Sequence, residues 1–242
     1  MKYLKPILCL LFFSALFGFS ENLKAQDGTE STSQIDSKQR SLITIASLTA
    51  KGDLDDLEAA LTTGLETGMT VNEIKEVMVH LYAYCGFPRS LRGLRTFIKV
   101  LEERKARGIE DRMGAEASPV QDDRTKYERG KANLEALLKT KLDGPGTDYA
   151  QFAPIIEVFL KEHLFADIFD RDVLNYQQRE LVTISVLMTI GGVEPMLRSH
   201  MNICLIQGLT PYQLEEAINL LEQHLEKEKI QSAREVLSSL LK

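Results

Sequence analysis

Apolar residues recur every three or four positions along most of the chain. No stretch of useful length alternates polar and apolar residues, so the pattern predicts an all-α protein. Leu42, Ile45, Ala46 and Thr49 mark a first helix over 38–51, and Leu54, Leu57, Leu61 and Leu65 a second over 53–67, closed by Gly68. A third starts at Val71: Thr70 caps it, Glu73 stands three residues on, and Met69 can staple against Ile74. It runs to about Tyr84, where Gly86-Phe87-Pro88 breaks it, and a fourth helix resumes over 90–107.

The pattern then repeats. RSLITIASLTAKG from Arg40 is answered 139 residues later by RELVTISVLMTIGG from Arg179, and GMTVNEIKEV from Gly68 is answered 140 later by GLTPYQLEEA from Gly208. The extra glycine of Gly191-Gly192 accounts for the difference. The second copy keeps the Gly208 stop, the Leu209/Leu214 staple and the Thr210 cap with Gln213. It adds Pro211 at the first helical position, where a missing N–H costs nothing. A duplication of this kind predicts two helical units, each with an apolar face that its neighbour must cover, packed as a pseudo-dimer. The units are expected over 38–107 and 125–242, joined by a linker over 108–124. In the second, helices over 125–142 and 152–165 and a loop or short helix over 165–174 lead into the repeated core.

The first residues change the picture. Lys2 and Lys5 precede a short apolar run, and a polar stretch ending Leu-Lys-Ala follows, the form of a secretory signal peptide over 1–25. A polar segment over 26–37 has little to bury and reads as a disordered lead. An exported protein, periplasmic or secreted, is the expectation, with no membrane attachment after cleavage. The net charge of −6 becomes more negative once the leader's lysines are removed, and no basic stripe is present, so nucleic acid is an unsuitable partner. Cys85 and Cys204 occupy non-equivalent places in the two copies and read as small buried side chains. The histidines are scattered without metal-ligand spacing, so no metal is expected.

Both repeated strings, and LFADIFDRDVL just ahead of the second, resemble the carboxymuconolactone decarboxylase family, which includes the alkylhydroperoxidase D proteins. The resemblance implies tandem alkylhydroperoxidase D-like units and, since single-unit members assemble as six, a homotrimer of two-unit chains. One branch uses Cys-x-x-Cys followed by His to reduce peroxide. Here the corresponding stretch, Gly192 to Met196 before His200, has no cysteine, which disfavours a peroxidase. The other branch removes carbon dioxide from a carboxylated unsaturated lactone without thiol, metal or other cofactor. The resemblance therefore implies a lyase on a small-molecule carboxylate, with an exported non-catalytic binding or assembly protein as the remaining alternative.

Decarboxylation with a proton shift needs cationic groups for the carboxylate and an acid or base for the proton. Glu180 and His200 are the natural pair, and the copy-one equivalents are Ser41 and Ala60, so one such site is expected. In a tight antiparallel hairpin the two lie about five residues out of register, roughly 7–8 Å along the axis, a gap for a shared substrate to bridge. Glu180 falls near a helix start, where a carboxylate also suits the helix dipole. His80, replaced by Leu220 in copy two, is a further catalytic candidate. Arg179, Arg198 and Arg40 are the substrate-binding candidates, although the recurrence of Arg40 and Arg179 also fits a helix-packing ion pair. Tyr82 and Tyr84 read as packing residues.

Overall fold

The computed structural model describes residues 34–144 and 146–242. The expected leader and most of the polar lead lie outside them. The end of that lead is held in place: Ile35 is buried, and its N–H donates to Glu216 Oε2 at 2.8 Å.

Among the described residues the protein is all helical, and the repeat is legible in three dimensions. In the first half, α1 (Ser37–Lys51), α2 (Leu54–Glu66) and α3 (Val71–Ala106) follow one another. In the second, α4 (Lys126–Leu138), α5 (Asp148–Phe152), α6 (Pro154–Phe159) and a π-helix (Leu160–Ile168) lead into α7 (Tyr176–Ile190), α8 (Glu194–Ile206), α9 (Pro211–Leu221) and α10 (Lys227–Leu240). Helix α1 corresponds to α7, α2 to α8, and α3 to α9 plus α10. Within α3 the backbone leaves helical geometry at Gly86 (φ 79°, ψ 161°), just ahead of Pro88. Only glycine adopts that conformation without strain, and proline cannot donate to the preceding turn, so α3 is two helices joined at a kink.

Capping boxes form where the sequence places them. Thr70 and Glu73 exchange bonds at the start of α3, as do Thr210 and Gln213 at the start of α9. A further matched pair, Asp36 with Gln39 and Asn175 with Gln178, starts α1 and α7. Four orphan N–H groups at each helix start must find acceptors, so paired caps at equivalent positions fix both helices in the same register.

The two halves interlock. Helices α1 and α7 pack against each other at the centre, α3 packs on α7, and α1 packs on α9. One apolar core therefore runs through both units, with Ile43, Ile45, Leu57, Leu61, Leu181, Ile184, Leu214 and Ile218 all fully buried. A Ser47–Thr189 hydroxyl bond of 2.7 Å crosses the α1–α7 contact.

The lead-in to the second unit departs from expectation. Helix α4 ends at Leu138, short of residue 142, because Lys139 turns left-handed (φ 50°). The expected helix over 152–165 is three pieces: Ala153, held extended ahead of Pro154, separates α5 from α6, and the π-helix follows. Helix α4 and the π-helix lie so close that a Cβ on Gly130 would fall 1.7 Å from the Lys161 carbonyl oxygen. Together they form a satellite core around Leu137, Leu164, Phe165, Ile168 and Phe169. A π-helix is an unusual element that recurs near functional sites. This one is followed directly by Phe169 and Arg171, which reach the residues described next.

Candidate functional site

The candidate site lies where α3 of the first unit meets α7 and α8 of the second. Glu180 is fully buried in the second turn of α7, not at its exposed start, so a helix-dipole role does not explain it. Its Oε2 accepts a hydrogen bond from His200 Nδ1 on α8 at 2.7 Å. The separation that a tight hairpin predicts is thus closed by direct contact. The connection through Gly191 and Gly192, both at positive φ, leads into α8, and two long side chains span the rest. Because the carboxylate takes the Nδ1 proton, the imidazole presents Nε2 as its working nitrogen, and Nε2 has no protein partner among the described residues. The His200 side chain retains 15% exposure, whereas Glu180 has none, so access to the pair is through the imidazole.

Next to this pair is a buried ionic group. Arg179 is completely buried and donates to Glu76 Oε1 at 2.9 Å, to His80 Nδ1 at 3.2 Å and to the Arg171 carbonyl. Arg171 closes the group from the surface side, with its Nε 2.9 and 3.1 Å from the Glu76 oxygens. Burial holds the Arg179 pKa below the ordinary arginine value, while Glu76 acts in the opposite direction.

His80 is also fully buried. Arg179 donates to its Nδ1, so Nε2 carries the proton and donates to Thr183 Oγ1 at 2.9 Å; Thr183 in turn donates to the Arg179 carbonyl. Burial first, and the Arg179 charge second, hold the His80 pKa well below its ordinary value, so the ring is neutral. Both ring nitrogens are committed, which suits His80 to positioning Arg179 and Thr183. Phe169 stands against His80 and Arg179, 5.4 Å from each.

Of the six residues picked from the sequence, the structure brings Glu180, His200, His80 and Arg179 together. Arg198 is exposed on α8 and bonds to Ser239 on α10, away from the pair. Arg40 is the pseudo-equivalent of Arg179, and its partner Glu216, at 2.8 Å, is the pseudo-equivalent of Glu76. The same inter-unit ion pair is therefore built twice. The copy at Arg40 lies on a surface cleft of about 330 Å³ also lined by Tyr212 and Leu220. Helix packing, not substrate binding, is the role its geometry fits. Cys85 and Cys204 are free, and burial pushes both thiols up, Cys85 to about 11. That is the reverse of the activated thiolate a peroxidase needs.

Three residues at the site escaped sequence reading, Glu76, Arg171 and Phe169, and a fourth, Tyr84, reads in the sequence only as packing. Tyr84 packs edge-on against His200 at 5.9 Å between ring centroids and lies 5.3 Å from His80. The signal available for Glu76 was its recurrence as Glu216 at the same 140-residue offset that relates Gly68 to Gly208. Among the described residues, four buried side-chain polar atoms lack hydrogen-bond partners, and three of them are here: Tyr84 Oη, Arg179 Nε and Glu180 Oε1. Each such atom is costly in a protein interior, so three on neighbouring residues mark a place built for something other than stability.

The sequence model described as the carboxymuconolactone decarboxylase family matches residues 12–98 and 158–239. The 4-carboxymuconolactone decarboxylase of Acinetobacter baylyi is similar to this chain, 43% identical over 51 residues, which are 21% of this chain and 38% of that enzyme. The chain thus matches little more than a third of that relative's length. The two family segments cover more than half of the chain, and each takes in the three equivalent helices of one half in whole or large part: the protein belongs to the carboxymuconolactone decarboxylase family as a tandem, two-unit member.

Proposed function

We propose that the protein is a cofactor-free carboxy-lyase acting on a small, unsaturated organic acid of the same class as 4-carboxymuconolactone. The observation that carries this reading is the half-buried Glu180–His200 hydrogen bond beside Glu180 Oε1 and Arg179 Nε, which have no hydrogen-bond partner among the described residues. The guanidinium meets the charge of the bound acid. The carbon–carbon bond to the departing carboxylate breaks, carbon dioxide leaves, and the electron pair passes into the conjugated system as a dienolate. Protonated His200 then delivers its Nε2 proton to carbon and recovers it from water, while Glu180 holds the ring in the tautomer and orientation that this requires. Family membership and the similarity to a decarboxylase support the same chemistry. The raised thiol pKa values speak against the peroxidase alternative.

Export through the N-terminal leader and assembly as three chains belong to the same proposal. The exposed apolar residues Phe152, Ile155, Ile156 and Phe159 give the assembly a surface to use. The catalytic reading is tested by following loss of 4-carboxymuconolactone with the intact protein and with His200→Gln. A fall in kcat of about 10²–10⁴-fold is expected. Equal turnover by the two proteins would remove His200 from the chemistry.

A further inference from the structure

The Glu180–His200 pair and Arg179 all come from the second unit, yet the fold presses one residue of the first unit onto them. Tyr84 stands on the last turn of α3 before the Gly86 kink. Its ring makes a T-shaped contact with His200 (84° between planes) and a tilted one with His80, so packing fixes where its hydroxyl points. That hydroxyl is buried and has no hydrogen-bond partner among the described residues. The Thr183 hydroxyl is near, but its bonds go to His80 and to the Arg179 carbonyl. Burial and the neighbouring Glu180 carboxylate, partly offset first by the Thr183 hydroxyl and then by Arg179, push the Tyr84 phenol up, so it keeps its proton and acts as a donor.

We propose that Tyr84 is a catalytic residue supplied by the first unit: with Arg179 Nε–H it donates to the carbonyl oxygen on which negative charge develops, while Glu180 Oε1 and His200 face the donor side of the same ligand. This rests on the lyase reading for the reaction but not for the binding. Tyr84 Oη and Arg179 Nε are two unmatched donors, and Glu180 Oε1 is an unmatched acceptor. The ligand they select therefore carries an acceptor oxygen, as a lactone or carboxylate does, close to a hydroxyl or an acidic C–H. A packing tyrosine would not require its hydroxyl to be buried without a partner, since phenylalanine fills the same space without that cost. A donor aimed at developing charge is useful because it is pre-positioned in a water-poor setting. The arrangement also gives the duplication a role, because neither unit alone holds both the donor and the proton-transfer pair. The pseudo-equivalent of Tyr84 is His224, whose Nδ1, 3.7 Å from Asp56 Oδ2, is the fourth buried atom without a hydrogen bond, but Ser41 and Ala60 stand there in place of Glu180 and His200.

Tyr84→Phe in the full chain tests this in two ways. Without ligand, its melting temperature should equal or exceed that of the unaltered protein. A fall of more than about 4 °C would show that the hydroxyl has a protein partner and overturn the proposal. With 4-carboxymuconolactone, kcat should drop about 10²-fold with KM within about twofold, as for loss of one such donor; an unchanged kcat overturns it. If the unaltered protein does not turn the lactone over, the lyase reading fails, and binding decides for Tyr84. The lactone and cis,cis-muconate should then raise the melting temperature of the unaltered protein and not that of Tyr84→Phe. Equal shifts, or no shift in either protein, would overturn the assignment.

Discussion

Replacing Glu76 by Gln breaks an ion pair whose partner cannot reach water. The Glu76 and Arg179 side chains are 2% and 0% exposed, and Glu76 also holds Arg171 through two contacts. Glutamine keeps the shape but offers one neutral oxygen where a carboxylate met two guanidinium groups. Arg179 is left with neutral acceptors alone: that oxygen, His80 Nδ1 and the Arg171 carbonyl. Removing one partner of a buried pair costs about 3–5 kcal/mol, because a desolvated charge is left uncompensated. For a domain of this size, each kcal/mol moves the melting temperature by roughly 2–4 °C, so a drop of about 6–20 °C is expected. The duplication supplies the control. Glu216→Gln breaks the pseudo-equivalent pair with Arg40, whose side chain is 42% exposed, and an exposed pair is worth about 0–1 kcal/mol. Calorimetry on the two variants measures the difference directly. Equal shifts would refute the claim that burial, and not the pair itself, sets the cost.

Two further predictions follow from the titrating groups. The folded pKa of His80 lies well below its unfolded value near 6.5, so below that pH the unfolded chain binds a proton that the folded chain refuses. His80 therefore lends its full stability above pH 6.5 and loses about 1.4 kcal/mol per pH unit below it, down to the folded pKa. Urea unfolding between pH 6.5 and 5 should show this slope, and a His80→Gln variant with the same slope would assign it elsewhere. The thiols of Cys85 and Cys204 are held protonated at neutral pH, so a thiol reagent should react slowly with both, and faster at Cys85 on unfolding. A rapid stoichiometric reaction with the folded protein would contradict the burial argument, as would peroxide consumption abolished by Cys85→Ser.

What was legible in the sequence is local or periodic. The helix starts at Thr70 and Thr210 follow from the cap and its partner three residues away, the α3 kink from Gly86 and Pro88, and the two-unit architecture from repetition. Glu180 and His200 could be named because the chemistry that the family resemblance implies needs an acid or base for the proton, and Ser41 and Ala60 at the corresponding positions limit such a pair to one copy. What sequence could not give depends on contacts across the units. Arg40 and Arg179 occupy the same place in the two copies, yet one lies at the surface and the other under Phe169, because only the second is covered by the segment that follows the π-helix. Tyr84 reads as packing until the α3–α7–α8 meeting point places its hydroxyl, unpartnered, beside Glu180 and Arg179. Periodicity records which face of a helix is apolar, since that is a property of neighbouring residues. Whether a polar atom on that face finds a partner is set by residues a hundred positions away, and only the folded chain brings them within reach.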